Sequence, residues 1–224
     1  MTCFRKKHMV EKNAIVLIIC CTGELSQNLG NIADTVEEGF REKVDAEYYR
    51  LVAGECTQNN VRSRLQIIAD FLSQPNKRAY VYYNGHGDWR ADTNGDEADG
   101  MDEFWKLSDG SVVLDDYIST LFNQINESSF LFLVNDHCSS GTMLDRSLND
   151  RPWICLSSSQ DSQDSLSTYD GGVFTLFGFL PAIQRYDTLR EIVNYISENI
   201  DIPTQNFRVE FTRNYLETNN IWVT

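Results

Sequence analysis

The chain has 224 residues, 42% of them hydrophobic and 12% aromatic, which supports a sizeable core and excludes a disordered segment. Its formal net charge is −14, from 33 acids against 19 bases, so phosphate-binding partners such as nucleic acid are not expected. The longest apolar run, 14–21, is far too short to cross a bilayer, and no apolar signal core follows the N-terminus, so no membrane association is expected.

Residues 1–12 read as an N-terminal extension, and 13–224 as one domain, with 13–150 and 151–224 as its larger and smaller parts. Residues 13–21, NAIVLIICC, are continuously apolar and β-branched, the pattern of a fully buried strand. Ile32, Val36, Phe40 and Val44 recur at helical spacing and place a helix over 30–43. A second strand is expected over 46–53, then a helix starting at Asn60 or Ser63 and running to Leu72, then a third strand over 79–83. From Gly85 to Gly110 the chain is polar, acidic and glycine-spaced without periodicity, which predicts a long functional loop. A helix over 115–126, strands over 130–134 and 153–156, helices over 172–183 and 188–200, and a last strand over 207–211 complete the pattern. Alternating strands and helices imply parallel β-α-β units with helices on both faces of one sheet. Ligands of such sheets bind beyond the carboxyl ends of the strands.

Two strand ends carry reactive side chains. YVYYNGHGD, 80–88, ends in His86 between two glycines, and FLFLVNDHCSS, 130–140, runs into Asp136, His137 and Cys138. A thiol is a nucleophile as thiolate, and a nearby imidazole can take its proton. Ser139, Ser140 and Gly141 predict a short helix whose N-terminus would favour that thiolate. His137 is a rival base, expected to point elsewhere because it adjoins Cys138 on an extended chain. The bland readings stay open: a turn histidine for His86 and a packed strand-end thiol for Cys138. The six cysteines, at 3, 20, 21, 56, 138 and 155, form no C-x-x-C pair, so reduced thiols in a cytoplasmic compartment are expected.

YYNGHGD, then DEADGMDE, then NDHCSSGTMLD resemble the metacaspases, caspase-like cysteine peptidases. The resemblance runs from the first strand to about residue 180 and includes LSSSQDSQDSLSTYDGGVFTLFGF at 156–179. It implies the caspase–hemoglobinase fold, a three-layer α/β/α sandwich around a mostly parallel sheet. It implies a thiol protease with His86 as general base, Cys138 as nucleophile, and the amides of Gly87 and Cys138 as oxyanion donors. Asp136 and Asp34 match two acids of the primary specificity pocket, with Asn31 and Asn84 replacing other residues there. Paired carboxylates select a cation, so cleavage after Arg or Lys of protein or peptide substrates is implied. Asp102, Asp115, Asp116 and Asp145 match the ligands of an activating calcium ion, whose preference for several hard oxygens suits them. A monomer and a role in cell death are implied as well. The chain departs from the family pattern where Ser139 and Ser140 follow the Cys in place of His and Ser. That departure motivates one rival, a catalytically impaired homologue acting as a binding or scaffold protein; a clan relative of other specificity and a plain doubly wound α/β binding domain are the other two.

Overall fold

A computed structural model describes residues 12–21, 28–95, 100–144, 151–212 and 217–222. Most of the extension 1–12 and the expected calcium ligand Asp145 lie outside the described residues.

The first strand, β1 (Ala14–Cys20), is buried at every position. It pairs in parallel with β2 (Glu47–Val52) on one side and β3 (Arg78–Asn84) on the other. Beyond β3 come β7 (Phe130–Asp136) and β8 (Trp153–Ser157), both parallel, and then β11 (Arg208–Phe211), antiparallel at the edge. The sheet order is β11-β8-β7-β3-β1-β2.

Unbroken apolar strands demand cover on both faces. Val16, Ile18 and Cys20 of β1 face α1 (Leu29–Arg41), α4 (Leu180–Arg185) and α5 (Leu189–Asn199). Ile15, Leu17 and Ile19 face α2 (Gln58–Leu72) and α3 (Asp115–Phe122). The result is the expected three-layer α/β/α arrangement around a mostly parallel sheet. Its helices start where side chains can satisfy free amides. The Thr57 hydroxyl accepts from Asn60 N at the head of α2, and Thr188 and Glu191 form a reciprocal capping box on α5.

The region 85–110 departs from the expected long loop. His86–Ala91 (β4), Met101–Lys106 (β5) and Val112–Leu114 (β6) form a separate three-stranded antiparallel sheet. Tyr83 stacks face to face on Trp105, centroids 4.5 Å apart, and so ties the end of β3 to β5. Residues 167–168 (β9) and 171–172 (β10) form a short hairpin, followed by a π-helical turn at Phe174–Phe179 that leads into α4. Among the described residues no helix is long and apolar enough to cross a membrane.

Candidate active site

In the register of β3 against β7, Asn84 is the partner of Asp136. His86 and Cys138 therefore each lie two residues beyond one paired position, at neighbouring carboxyl ends of the sheet. Gly85 N donates to the Asp136 carbonyl at 3.4 Å, and Asn84 Nδ2 donates to the same oxygen at 3.3 Å, which closes the junction. Asn84 thus braces the two strand ends. The backbone of Gly87 runs against the Cys138 main chain so closely that a Cβ there would sit 2.5 Å from the Cys138 carbonyl oxygen.

His137 lies behind this contact and is buried, 2% exposed. Its Nδ1 donates to the Cys138 carbonyl at 2.7 Å, while Nε2 has no hydrogen-bond partner. The ring meets Tyr83 edge-on with centroids 5.3 Å apart. Burial pushes its pKa down to about 4, so the imidazole is neutral at pH 7 and holds the nucleophile's backbone. The unfolded chain protonates this group near pH 6.5. The stability it contributes is therefore complete above pH 6.5 and is lost as the pH falls towards 4, by about 3 kcal/mol. We expect chemical denaturation to show that loss between pH 7 and pH 4. His137→Asn keeps a donor at the Nδ1 position, and it should show a shallower pH slope; an unchanged slope would contradict this role.

Cys138 is half-buried. Ser165 N donates to its Sγ at 3.3 Å, and the thiol faces the Ser165 carbonyl oxygen at 4.0 Å. No hydrogen bond joins His86 to Cys138 in this conformation, although His86 is one residue from the Gly87 contact. The His86 carbonyl accepts from the Tyr83 hydroxyl at 2.8 Å. Burial raises the thiol pKa, and the neighbouring Asp164 carboxylate raises it further, opposed by the Ser165 amide. Among the described residues no helix follows Cys138 at the expected place, Ser139–Gly141. Residues 137–144 form bends and turns, and Ser139 has φ +52°, a left-handed conformation that cannot begin an α-helix.

Asp136 is buried, 2% exposed, and its carboxylate is fully engaged. Thr175 donates to Oδ2 through both its hydroxyl and its amide, the amide at 3.3 Å, and Ser165 Oγ donates to Oδ1 at 3.1 Å. The Tyr82 hydroxyl lies 2.7 Å from Thr175 Oγ1 and extends the chain into the core. Gly172 completes the wall, because a Cβ there would fall 1.9 Å from Asp136 Oδ2. Burial raises the Asp136 pKa, opposed by the hydrogen bonds from Thr175 and Ser165.

The structure does not bring Asp34 to Asp136. Asp34 lies on the outer face of α1, its side chain 58% exposed, and pairs with Arg50 of β2 at 2.6 Å. Asn31 is exposed on the same helix, where its carbonyl accepts from Thr35 Oγ1 at 2.8 Å. Ser165, Thr175 and Gln205 were not visible as site residues in the sequence. They lie 27 to 67 positions after Cys138, Ser165 and Gln205 in polar segments and Thr175 within the apolar stretch read as a helix over 172–183, and no local signal marks them. Gln205 Nε2 donates to Ser165 Oγ at 3.3 Å and its Oε1 accepts from Leu166 N at 2.9 Å, which fixes the segment over the thiol.

The acids of the second sheet gather at the head of α3. Asp102 is 1% exposed; its Oδ2 accepts from Arg90 Nε at 3.2 Å and its Oδ1 is buried without a partner. Asp115 accepts from the amides of Glu103, at 2.9 Å, and Asp116, at 2.7 Å. Burial, aided by the charges of Glu103 and Asp102, pushes Asp115 up to about 8. Asp116 accepts from Asn94 Nδ2 at 3.0 and 3.1 Å. The all-oxygen donor set and the orphaned Asp102 oxygen suit a hard cation. Among the described residues, however, no three acidic, His or Cys side chains converge on one point as they stand.

Comparison with known proteins agrees with the motifs. The family model for the metacaspase, peptidase C14 domain matches residues 27–147. Metacaspase-1B of Aspergillus fumigatus is 27% identical over 149 residues, 59% of this chain and 36% of that protein. Metacaspase-1 of Saccharomyces cerevisiae is 31% identical over 99 residues, 42% of this chain and 22% of that protein. The match thus spans about a third or less of these relatives' length. A solved structure from Geobacter sulfurreducens superposes with a TM-score of 0.71 over 89% of this chain and 93% of that one, at 19% identity, a likeness of fold.

Proposed function

The chain belongs to the metacaspase family of caspase-like cysteine peptidases, and on that premise we propose that it is a cysteine endopeptidase cutting after Arg or Lys. The observation that supports this reading is the β3–β7 register, whose last pair, Asn84 and Asp136, lies two residues before His86 and Cys138. In the reaction the Cys138 thiol gives its proton to His86, and the thiolate attacks the scissile carbonyl. The amides of Gly87 and Cys138 hold the oxyanion. His86 returns the proton to the leaving amine, and water then hydrolyses the acyl-enzyme. For this cycle His86 must turn onto the thiol, and Ser165 must give up its contact with Sγ. Catalytic hydrogen bonds commonly tighten only on substrate binding.

The preference for a cation is supported by the acids around the thiol and by the net charge of −14. Calcium activation is part of the proposal. Asp102, Asp115 and Asp116, with Asp145, would hold the ion, and the ion would supply a fixed charge that orders the second sheet beside His86. A monomer acting on protein substrates in a reducing compartment completes the reading. The test is hydrolysis of paired fluorogenic peptides ending in Arg and in Asp, with millimolar calcium or a chelator. Arg cleavage that needs calcium is expected. Cleavage after Asp would overturn the specificity, and cleavage indifferent to the chelator would remove the metal.

One observation favours a second reading, a catalytically impaired scaffold: the thiol is engaged by Ser165 and carries a raised pKa. A folded native chain that binds calcium yet leaves both peptides intact would select it.

A further inference from the structure

The second sheet has the order β4-β5-β6, so β4 is an edge strand, and among the described residues no strand pairs with its outer side. The antiparallel register decides which of its backbone groups face outwards. Along such a pair, residues that exchange backbone hydrogen bonds alternate with residues whose N–H and C=O point away from the partner. Glu103 N donates to Asp115 Oδ2 at 2.9 Å, on the β6 side, and Asp92 N donates to the Gly100 carbonyl at 2.9 Å. Glu103 lies opposite Trp89, Trp105 opposite Gly87, and Met101 opposite Ala91. Gly87, Trp89 and Ala91 therefore turn their amides and carbonyls to the outer edge, in a row that starts at the proposed oxyanion amide.

Two side chains mark this edge. Trp89 is 43% exposed, whereas Trp105, Trp153 and Trp222 are buried. Its indole leaves β4 on the same face as Gly87, the face that meets His137 and the Cys138 carbonyl. Two strand residues span about 7 Å, within reach of a peptide bound at the thiol. Glu103, opposite Trp89, accepts from Thr142 Oγ1 in the segment that follows Cys138. The other side chain is Asp88, whose Oδ1 accepts from Trp89 N at 2.9 Å. A carboxylate oxygen thus takes the place that the carbonyl of a neighbouring strand would fill. An unpaired edge beside an exposed aromatic ring is a template for an added strand.

We propose that the outer edge of β4 is the subsite for the leaving side of the substrate, where the chain beyond the scissile bond adds as a parallel strand and packs an apolar side chain on Trp89. The proposal rests on the peptidase reading and adds a specificity residue to it. A scissile carbonyl that accepts from Gly87 N, with the leaving side running towards Ala91, sets the peptide parallel to β4. The second residue beyond the scissile bond then donates to the Gly87 carbonyl and accepts from Trp89 N, displacing Asp88. The third residue lies opposite Trp89, with its side chain on the face of the indole.

Two measurements test this. The first compares internally quenched peptides with Arg before the scissile bond and either Leu or Ser as the third residue after it. The native chain should favour Leu by about tenfold in kcat/KM, the low end of what one apolar contact contributes to discrimination. Trp89→Ala should narrow that ratio to within twofold, and Trp89→Phe should keep most of it. Phe177→Ala, which removes an exposed aromatic ring elsewhere, should keep the native ratio. The second measurement needs no proteolysis. In Cys138→Ala, quenching of tryptophan fluorescence by acrylamide is recorded with and without the uncleaved Leu peptide, which carries no Trp. The peptide should protect the accessible emission, and the same peptide should protect nothing in Cys138→Ala with Trp89→Phe. A native chain that cuts no Arg peptide would sink the peptidase reading, yet protection in Cys138→Ala would still report a peptide on the β4 edge. The proposal is overturned if the native chain cuts the Leu and Ser peptides within twofold of each other, or if the Leu peptide leaves the quenching of Cys138→Ala unchanged.

Discussion

Cys138→Ala should abolish hydrolysis of Arg peptides, by a factor of about 10⁴ or more, the scale on which removal of a covalent nucleophile acts. The substitution takes away one half-buried sulfur and its weak bond to the Ser165 amide. It leaves untouched the Ser165–Asp136 bond at 3.1 Å and the His137 bond to the residue 138 carbonyl at 2.7 Å. The fold around the site should therefore survive, and circular dichroism should match the native chain. Activity within tenfold of native would show that the thiol is not the nucleophile.

Gly87→Ala is the second large effect, and it acts on both stability and rate. The new Cβ would stand 1.9 Å from His137 Nδ1 and 2.5 Å from the Cys138 carbonyl oxygen. Neither neighbour is the far end of a flexible chain: one is a buried ring already bonded through that nitrogen, and the other is backbone. Overpacking of this kind costs about 1–3 kcal/mol, or several degrees in Tm for a chain of this size. Relief of the clash must part the start of β4 from Cys138. That displaces a proposed oxyanion amide, for which a loss of about 10²–10³ in kcat is expected. A variant with native Tm and native kcat would contradict both the packing and the assignment.

The central sheet was legible because its strands are buried on both faces and so carry unbroken apolar runs. Residues 14–20, 78–84 and 130–136 lie within a residue or two of where their composition places them. The second sheet was not legible. Four of the six residues of β4, Asp88, Trp89, Arg90 and Ala91, are exposed, so no alternation of buried apolar with exposed polar residues marks the strand. The two strand ends were readable as reactive because glycines and polar residues interrupt a core pattern there. What the thiol touches was not readable. Ser165 and Gln205 reach the site by tertiary folding from segments that look like ordinary polar loop, and Thr175 from one that looks like an ordinary apolar helix. Asp34 shows the limit of motif matching: it sits on the expected helix, yet a basic residue on the neighbouring strand, Arg50, turns it outward. Ser139 shows another, since a left-handed backbone defeats a sequence well suited to start a helix.

The claim that Cys138 is the nucleophile of an Arg-directed peptidase can be read in one measurement. Native protein with calcium is treated with a peptidyl-Arg acyloxymethyl ketone, which alkylates only a thiolate held against a bound peptide. Intact-mass and fragment mass spectrometry then locate the label. The account predicts one adduct per chain, on Cys138, formed faster than with the Asp-ended reagent and prevented by excess Arg peptide. An adduct spread over several cysteines, or a folded chain with none, would contradict it.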